Sequence, residues 1–137
     1  IGNNDRNVLY GFGGDDSINA GDGFNDFVEG GAGADSLDGG PGGFGVLSYA
    51  VSPGGVSINL TTGTGTGSDA EGDRVANFEV IAGSSHGDSL VGDAGANSIS
   101  GSSGAPATTS SPMRTPPAAS RSISGPDCRP AARRRVI

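Results

Sequence analysis

Six oxygen-bearing side chains stand at a recurring place in this chain. Asn7, Asp16, Asp26, Asp35, Asp88 and Asn97 each lie two residues before an isolated apolar residue, respectively Leu9, Ile18, Val28, Leu37, Leu90 and Ile99. A further unit ending on Val46 has Phe44 at that place. Glycines crowd the positions ahead of the acids, among them Gly11, Gly13, Gly21, Gly23, Gly30, Gly31 and Gly33. Carboxylates and amides recurring in this way are hard oxygen donors and suggest a metal, which the elements around them would have to position.

The elements that would do so are short. The apolar residues from Leu9 to Val46 are spaced 9, 10, 9 and 9 apart, and Leu90 and Ile99 again 9 apart, with Phe24 as the extra residue in the second interval. The cleanest unit is G-G-A-G-A-D-S-L-D at 30–38, preceded by G-F-G-G-D-D-S-I-N at 11–19 and followed by G-G-P-G-G-F-G-V-L at 39–47. A glycine-rich stretch with an Asp, then one apolar residue between polar ones, predicts a tight turn and a very short strand. Helix is disfavoured, because each interior glycine would cost it about 1 kcal/mol.

Composition restricts the alternatives. Of 137 residues 27 are Gly, hydrophobic residues make up 33% and aromatics 5%, and Lys and Trp are absent, so a helical or doubly wound enzyme core is hard to build. No run approaches the roughly 18 consecutive apolar residues of a membrane span. Residues 1–104 hold 14 acids against Arg6 and Arg74, a charge of −12, whereas 105–137 hold six Arg against Asp127, a charge of +5. Glycine and proline divide the same way, with 26 of the Gly in the first part and six of the eight Pro in the second, which marks two regions of different origin. Cys128 alone cannot close a disulfide within the chain, so any crosslinks must come from elsewhere, and the acids point to a metal. The chain starts at Ile1 with no charged-then-apolar leader and reads as a fragment whose N-terminus does not disclose an export route.

The units resemble the G-G-x-G-x-D-x-U-x nonapeptides of the RTX (repeats-in-toxin) hemolysin-type calcium-binding proteins. The resemblance is direct over 2–47 and 83–101. The segment from S-Y-A-V-S-P-G-G-V-S-I-N-L to D-A-E-G-D-R-V-A-N-F-E-V-I resembles the longer coil that such proteins place between repeat blocks. What it implies is an all-β fold, a right-handed parallel β-roll or solenoid with calcium ions between turns. Two nonapeptides make one coil, and the same side recurs about every 18 residues. Asp16 and Asp35 then share one side, Asn7 and Asp26 the other. The ligand set implied is Asn7, Gly11, Gly13, Asp16, Gly21, Gly23, Asp26, Gly30, Gly31, Gly33, Asp35, Asp88 and Asn97. The main site pairs the turn at 11–16 with that at 30–35; a second uses Asn7 and Asp26, with an amide weakening it. A third would pair Asp26 with the turn at 39–43, where Phe44 takes the Asp place. The turn of Asp88 departs from glycine at Ser84 and His86.

The inward residues Leu9, Ile18, Val28, Leu37, Val46, Leu90 and Ile99 make a thin core. At about 1.5 to 3 kcal/mol each they do not offset the ordering of about a hundred residues at roughly 1 to 2 kcal/mol apiece. Without calcium the chain is expected to be largely disordered. Its organisation reads as repeat blocks at 1–47 and 83–104, a longer irregular β coil at 48–82, and a low-complexity, disordered tail at 105–137. In the coil Val56, Ile58 and Leu60 alternate as in a half-buried strand and 61–68 reads as a turn. Asp69, Glu71 and Asp73 there stand equally as solvated charge or as calcium ligands.

Other motifs carry less. Residues 40–45 satisfy G-x-G-x-x-G, but strand follows where a nucleotide site needs helix; residues 83–87 satisfy G-x-S-x-G around Ser85, yet the only His, His86, sits inside that motif. No catalytic residue is expected, and no enzyme. Asn59 heads a glycosylation sequon, and Arg133, Arg134 and Arg135 form a basic run read as an unstructured end, with no nucleic-acid partner. With G-ending codons, a one-base back-shift from Gly104 reads as another nonapeptide, so the tail is hypothesised to be frameshifted repeats lacking a cap; the coding DNA decides this. The expected function is a calcium-binding module of a secreted, extracellular, bacterial protein, folding after export by a type I apparatus and assisting a larger parent. The alternative is a saccharide-binding β-roll beside a polysaccharide-modifying enzyme. End-to-end self-association of truncated rolls stays open.

Overall fold

Glycine turns separated by one-residue apolar anchors leave room only for very short strands, and such strands are stable only when stacked on copies of themselves. The computed structural model describes residues 1–41, 43–101 and 107–108. It contains strands β1 (Val8–Tyr10), β2 (Ser17–Asn19), β3 (Asp26–Glu29), β4 (Ser36–Asp38), β5 (Gly45–Ser48) and β6 (Ser57–Asn59). These are followed by β7 (Thr64–Thr66), a 3-10 turn (Ser68–Ala70), β8 (Arg74–Ala76), β9 (Val80–Ala82), β10 (Ser89–Val91), β11 (Ser98–Ser100) and β12 (Ala107–Thr108). No α-helix occurs among the described residues, and no helix is long and apolar enough to cross a membrane.

Apart from β6, β7 and β8, which share one sheet, successive strands alternate between two sheets, the topology of a parallel β-roll. One sheet runs β1-β3-β5-β9-β11 and the other β12-β10-β6-β7-β8-β4-β2. In the first block Val8 faces Phe27 and Ser17 faces Ser36, both 19 residues apart. The all-β roll expected from the repeats is thus the fold of the chain.

The core lies between the sheets. Val28, Leu37, Leu47, Ile58, Ile81 and Leu90 are fully buried, and Leu9, Ile18 and Ile99 pack against them from the ends. One inward residue differs from expectation: Val28 pairs with Leu47, and Val46 stands beside Phe27 on the outer face. The glycine-rich loop after Gly39 holds one more residue than the repeat, so inward positions there are ten apart and a one-residue shift exchanges the faces. Phe44 accordingly does not take the Asp place. Gly45 does, opposite Asp26, while Phe44 is exposed and stacks on Phe24 at 5.7 Å.

The longer coil is also more ordered than a turn at 61–68 implied. Thr64–Thr66 forms β7, which pairs antiparallel with β6 and, through Thr64 and Arg74, with β8. An antiparallel strand is thereby inserted into an otherwise parallel sheet. The expectations placed on the tail, disorder and a frameshifted origin, fall outside the described residues except at Ala107–Thr108, where β12 pairs with β10.

Candidate calcium rows

The residue that opens a strand or immediately precedes it sits at the mouth of a turn, and the sheet registers stack these residues into two rows. Along one sheet Asp16, Asp35 and Asp73 are neighbours, since Ser17 pairs with Ser36 and Ser36 with Arg74; Val56 and Asp88 precede the paired Ser57 and Ser89 further along. Along the other run Asn7, Asp26, Gly45, Glu79 and Asn97.

A single hydrogen-bond pattern ties the rows together. In Asp26, Asp35, Asp73, Glu79 and Asp88 one carboxylate oxygen accepts the backbone N–H of the row neighbour in the adjacent coil. Asp26 Oδ1 accepts from Asn7 at 2.6 Å, Asp35 Oδ1 from Asp16 at 2.9 Å, and Asp73 Oδ1 from Asp35 at 2.8 Å. Glu79 Oε2 accepts from Gly45 at 2.7 Å and Asp88 Oδ1 from Val56 at 3.0 Å.

The other oxygen is where binding chemistry resides. Oδ2 of Asp16, Asp26, Asp35 and Asp88 is buried with no hydrogen-bond partner. An unsatisfied buried polar atom costs about 1 to 3 kcal/mol, more when charged. Each of these oxygens looks back into its own glycine turn. A Cβ at Gly11 would stand 2.6 Å from Asp16 Oδ2, one at Gly23 3.0 Å from Asp26 Oδ2, and at Gly30 and Gly83 it would strike Asp35 Oδ2 and Asp88 Oδ2. The turns themselves are stacked closely. Gly13 bridges to Ala32 in parallel fashion, Gly14 N–H donates to the Ala32 carbonyl at 2.8 Å, and Ala32 N–H donates to that of Phe12 at 3.0 Å. A Cβ at Gly31 or Gly33 would collide with the carbonyls of Phe12 or Gly14, and one at Gly21 would stand 2.7 Å from that of Asn3.

The main pair of turns, 11–16 and 30–35, therefore lies in direct register, with Asp16 and Asp35 in one row. Asn7 and Asp26 share the other row, but Asn7 Oδ1 is occupied by the N–H of Asn3 at 2.7 Å. Asn97 behaves alike, accepting from Asp93 N–H at 2.8 Å. Asp88 lies beyond the longer coil and makes an extra bond, from Ser84 Oγ at 2.7 Å, so the serine that departs from the repeat is used to hold the acid.

Burial acts on the acids that lack a counter-charge. It pushes the Asp35 carboxyl above its ordinary range, against a lowering by the Asp16 N–H, and the nearby Asp16, Asp15 and Asp69 add to the rise. Asp73 is pushed up to about 6, again chiefly by burial. Among the described residues no three His, Cys, Asp or Glu side chains converge as a ready-made metal site, so an ion would take its remaining oxygens from backbone carbonyls of stacked turns. That donor set, all oxygen with few carboxylates, fits calcium and not a softer metal.

Two row members were not singled out as ligands by sequence. Asp73 is buried, while Glu71, weighed equally with it, is exposed and accepts the Gly67 N–H at 2.9 Å. Glu79 was missed altogether. Both obey the rule that picked the others, since Asp73 stands two residues before buried Val75 and Glu79 two before buried Ile81.

Comparison with known proteins gives the same class. A family described as RTX calcium-binding nonapeptide repeat (4 copies) matches residues 1–25, 20–43 and 82–105. The chain carries RTX calcium-binding nonapeptide repeats, in both blocks and not in the coil between them. No curated protein and no solved structure matches the chain.

Proposed function

We propose that the chain is a calcium-dependent β-roll module whose repeat blocks fold when calcium binds between stacked turns. The observation that carries this reading is the set of buried, unpaired Oδ2 atoms of Asp16, Asp26, Asp35 and Asp88, each aimed into a glycine turn. A cation there would neutralise carboxylates that otherwise repel one another, and link coils that hold no disulfide. The protein's own part is to present the oxygens: hydrogen bonds from the adjacent coil fix one oxygen of Asp26, Asp35 and Asp88 and so aim the other.

The module belongs to a larger secreted protein and is not itself an enzyme. Its repeat blocks stay unfolded while calcium is scarce during export, through a type I apparatus, and fold outside, where sites of about 10⁻⁴ to 10⁻³ M affinity are filled. The test is a calcium titration followed by far-UV circular dichroism with magnesium as control. A rise in β signal with calcium and not magnesium, weakened in Asp35→Ala, supports the reading; no response up to about 10 mM, well above that affinity range, overturns it.

A saccharide-binding role is favoured by one feature, the exposed aromatic pairs Tyr10–Phe12 and Phe24–Phe44 at 5.8 and 5.7 Å. Tyr49 is buried in the core and offers no such surface. Retention on an immobilised neutral polysaccharide, lost in Phe12→Ala, would support the second reading.

A further inference from the structure

We infer that residues 45–82 close both carboxylate rows with aromatic side chains and form a core that folds without calcium. This rests on the calcium reading of the repeat blocks and divides the chain into parts that need the ion and a part that does not.

In the first row Asp73 continues the series Asp16, Asp35, yet neither of its oxygens is left for an ion. Oδ1 accepts the Asp35 N–H at 2.8 Å and Oδ2 accepts the Tyr49 hydroxyl at 2.5 Å. A protein donor stands where Asp16, Asp35 and Asp88 have a bare oxygen. In the second row the turn after β4 has no acid, since Gly45 takes that place. The space there is taken by Phe78 and the carbonyl before it: a Cβ at Gly39 would strike the Asn77 carbonyl and lie 2.9 Å from the Phe78 ring, and one at Gly45 would lie 3.0 Å from each. At the equivalent glycines Gly11 and Gly30 the neighbour is instead an Asp carboxylate oxygen.

The same segment holds most of the core. Of the twelve buried apolar residues among those described, Leu47, Tyr49, Val56, Ile58, Ala70, Val75, Phe78 and Ile81 lie within it, leaving Ala20, Val28, Leu37 and Leu90 to the repeats. Its strands β6, β7 and β8 pair antiparallel through short connections, so they find partners locally, whereas a repeat strand must wait for the coil one turn away.

Hydrogen–deuterium exchange on the full chain, with calcium and with excess EGTA, tests this. In EGTA, amides of β5 to β9 should exchange at least about tenfold more slowly than those of β1 to β4, β10 and β11, and calcium should remove the contrast by protecting the repeats. Uniformly fast exchange in EGTA overturns the inference. Repeats protected equally with and without calcium overturn the calcium reading itself. The companion variant is Asp73→Asn, which keeps the size of the side chain. Its calcium midpoint should match the parent within about twofold; a rise as large as that of Asp35→Asn would make Asp73 a ligand and sink the capping.

Discussion

Asp35 uses its two carboxylate oxygens for different tasks: Oδ1 takes the N–H of Asp16 at 2.9 Å, and Oδ2 is buried without a partner beside Gly30. Structure and binding are thus divided between two atoms of one side chain. Asp35→Asn can keep the first and loses the charge of the second. The calcium midpoint of the dichroism transition should rise about tenfold or more, equivalent to about 1.4 kcal/mol of binding, with the calcium-saturated spectrum unchanged.

Asn7→Asp should act in the opposite direction. Asp26 shares a row with an amide at residue 7, and restoring a carboxylate adds charge to the weaker site. The expected result is a midpoint lowered by about threefold, less than 1 kcal/mol, read from parallel titrations of variant and parent.

Two glycines with similar backbone separate strain from collision. Gly14 and Gly31 both have positive φ, +104° and +96°, but a Cβ at Gly14 meets nothing within 4 Å whereas one at Gly31 strikes the Phe12 carbonyl of the coil beside it. Gly14→Ala should cost about 1 to 2 kcal/mol through the left-handed backbone alone. Gly31→Ala should cost clearly more, seen as a lower urea midpoint in saturating calcium.

Tyr49→Phe removes the hydroxyl from Asp73 and leaves the ring in place. A hydrogen bond to a charged group contributes about 1.5 to 3 kcal/mol, and the loss should appear in urea unfolding with calcium present, with the calcium midpoint of the repeats nearly unmoved.

The sequence carried the roll and its main pair of turns because Asp16 and Asp35 repeat with their glycines and their apolar anchors intact. It misplaced Val46 because the glycine-rich loop after Gly39 contains no anchor to count from, and one unmarked extra residue exchanges inside for outside. The strand at Thr64–Thr66 was hidden for a related reason: with Gly65 as its buried residue it shows no apolar alternation. Tyr49 and Asp73 are 24 residues apart, and no local pattern joins them; only the sheet register makes them neighbours. Glu79 was legible through Ile81 and was lost because the nonapeptide glycines around it are missing.

The stacking of coils also sets how the module bears load. In a parallel ladder the hydrogen bonds run evenly spaced and slanted across the gap between strands, and here they connect β1 to β3 to β5 along the axis of the stack. Tension applied along that axis pulls on one coil's few bonds at a time, so the repeats peel in sequence at low force instead of shearing together. Extension should slow at the antiparallel insert, where β7 joins β6 and β8 within one sheet, so the described part of the chain is expected to stretch in two soft stages separated by that stiffer element.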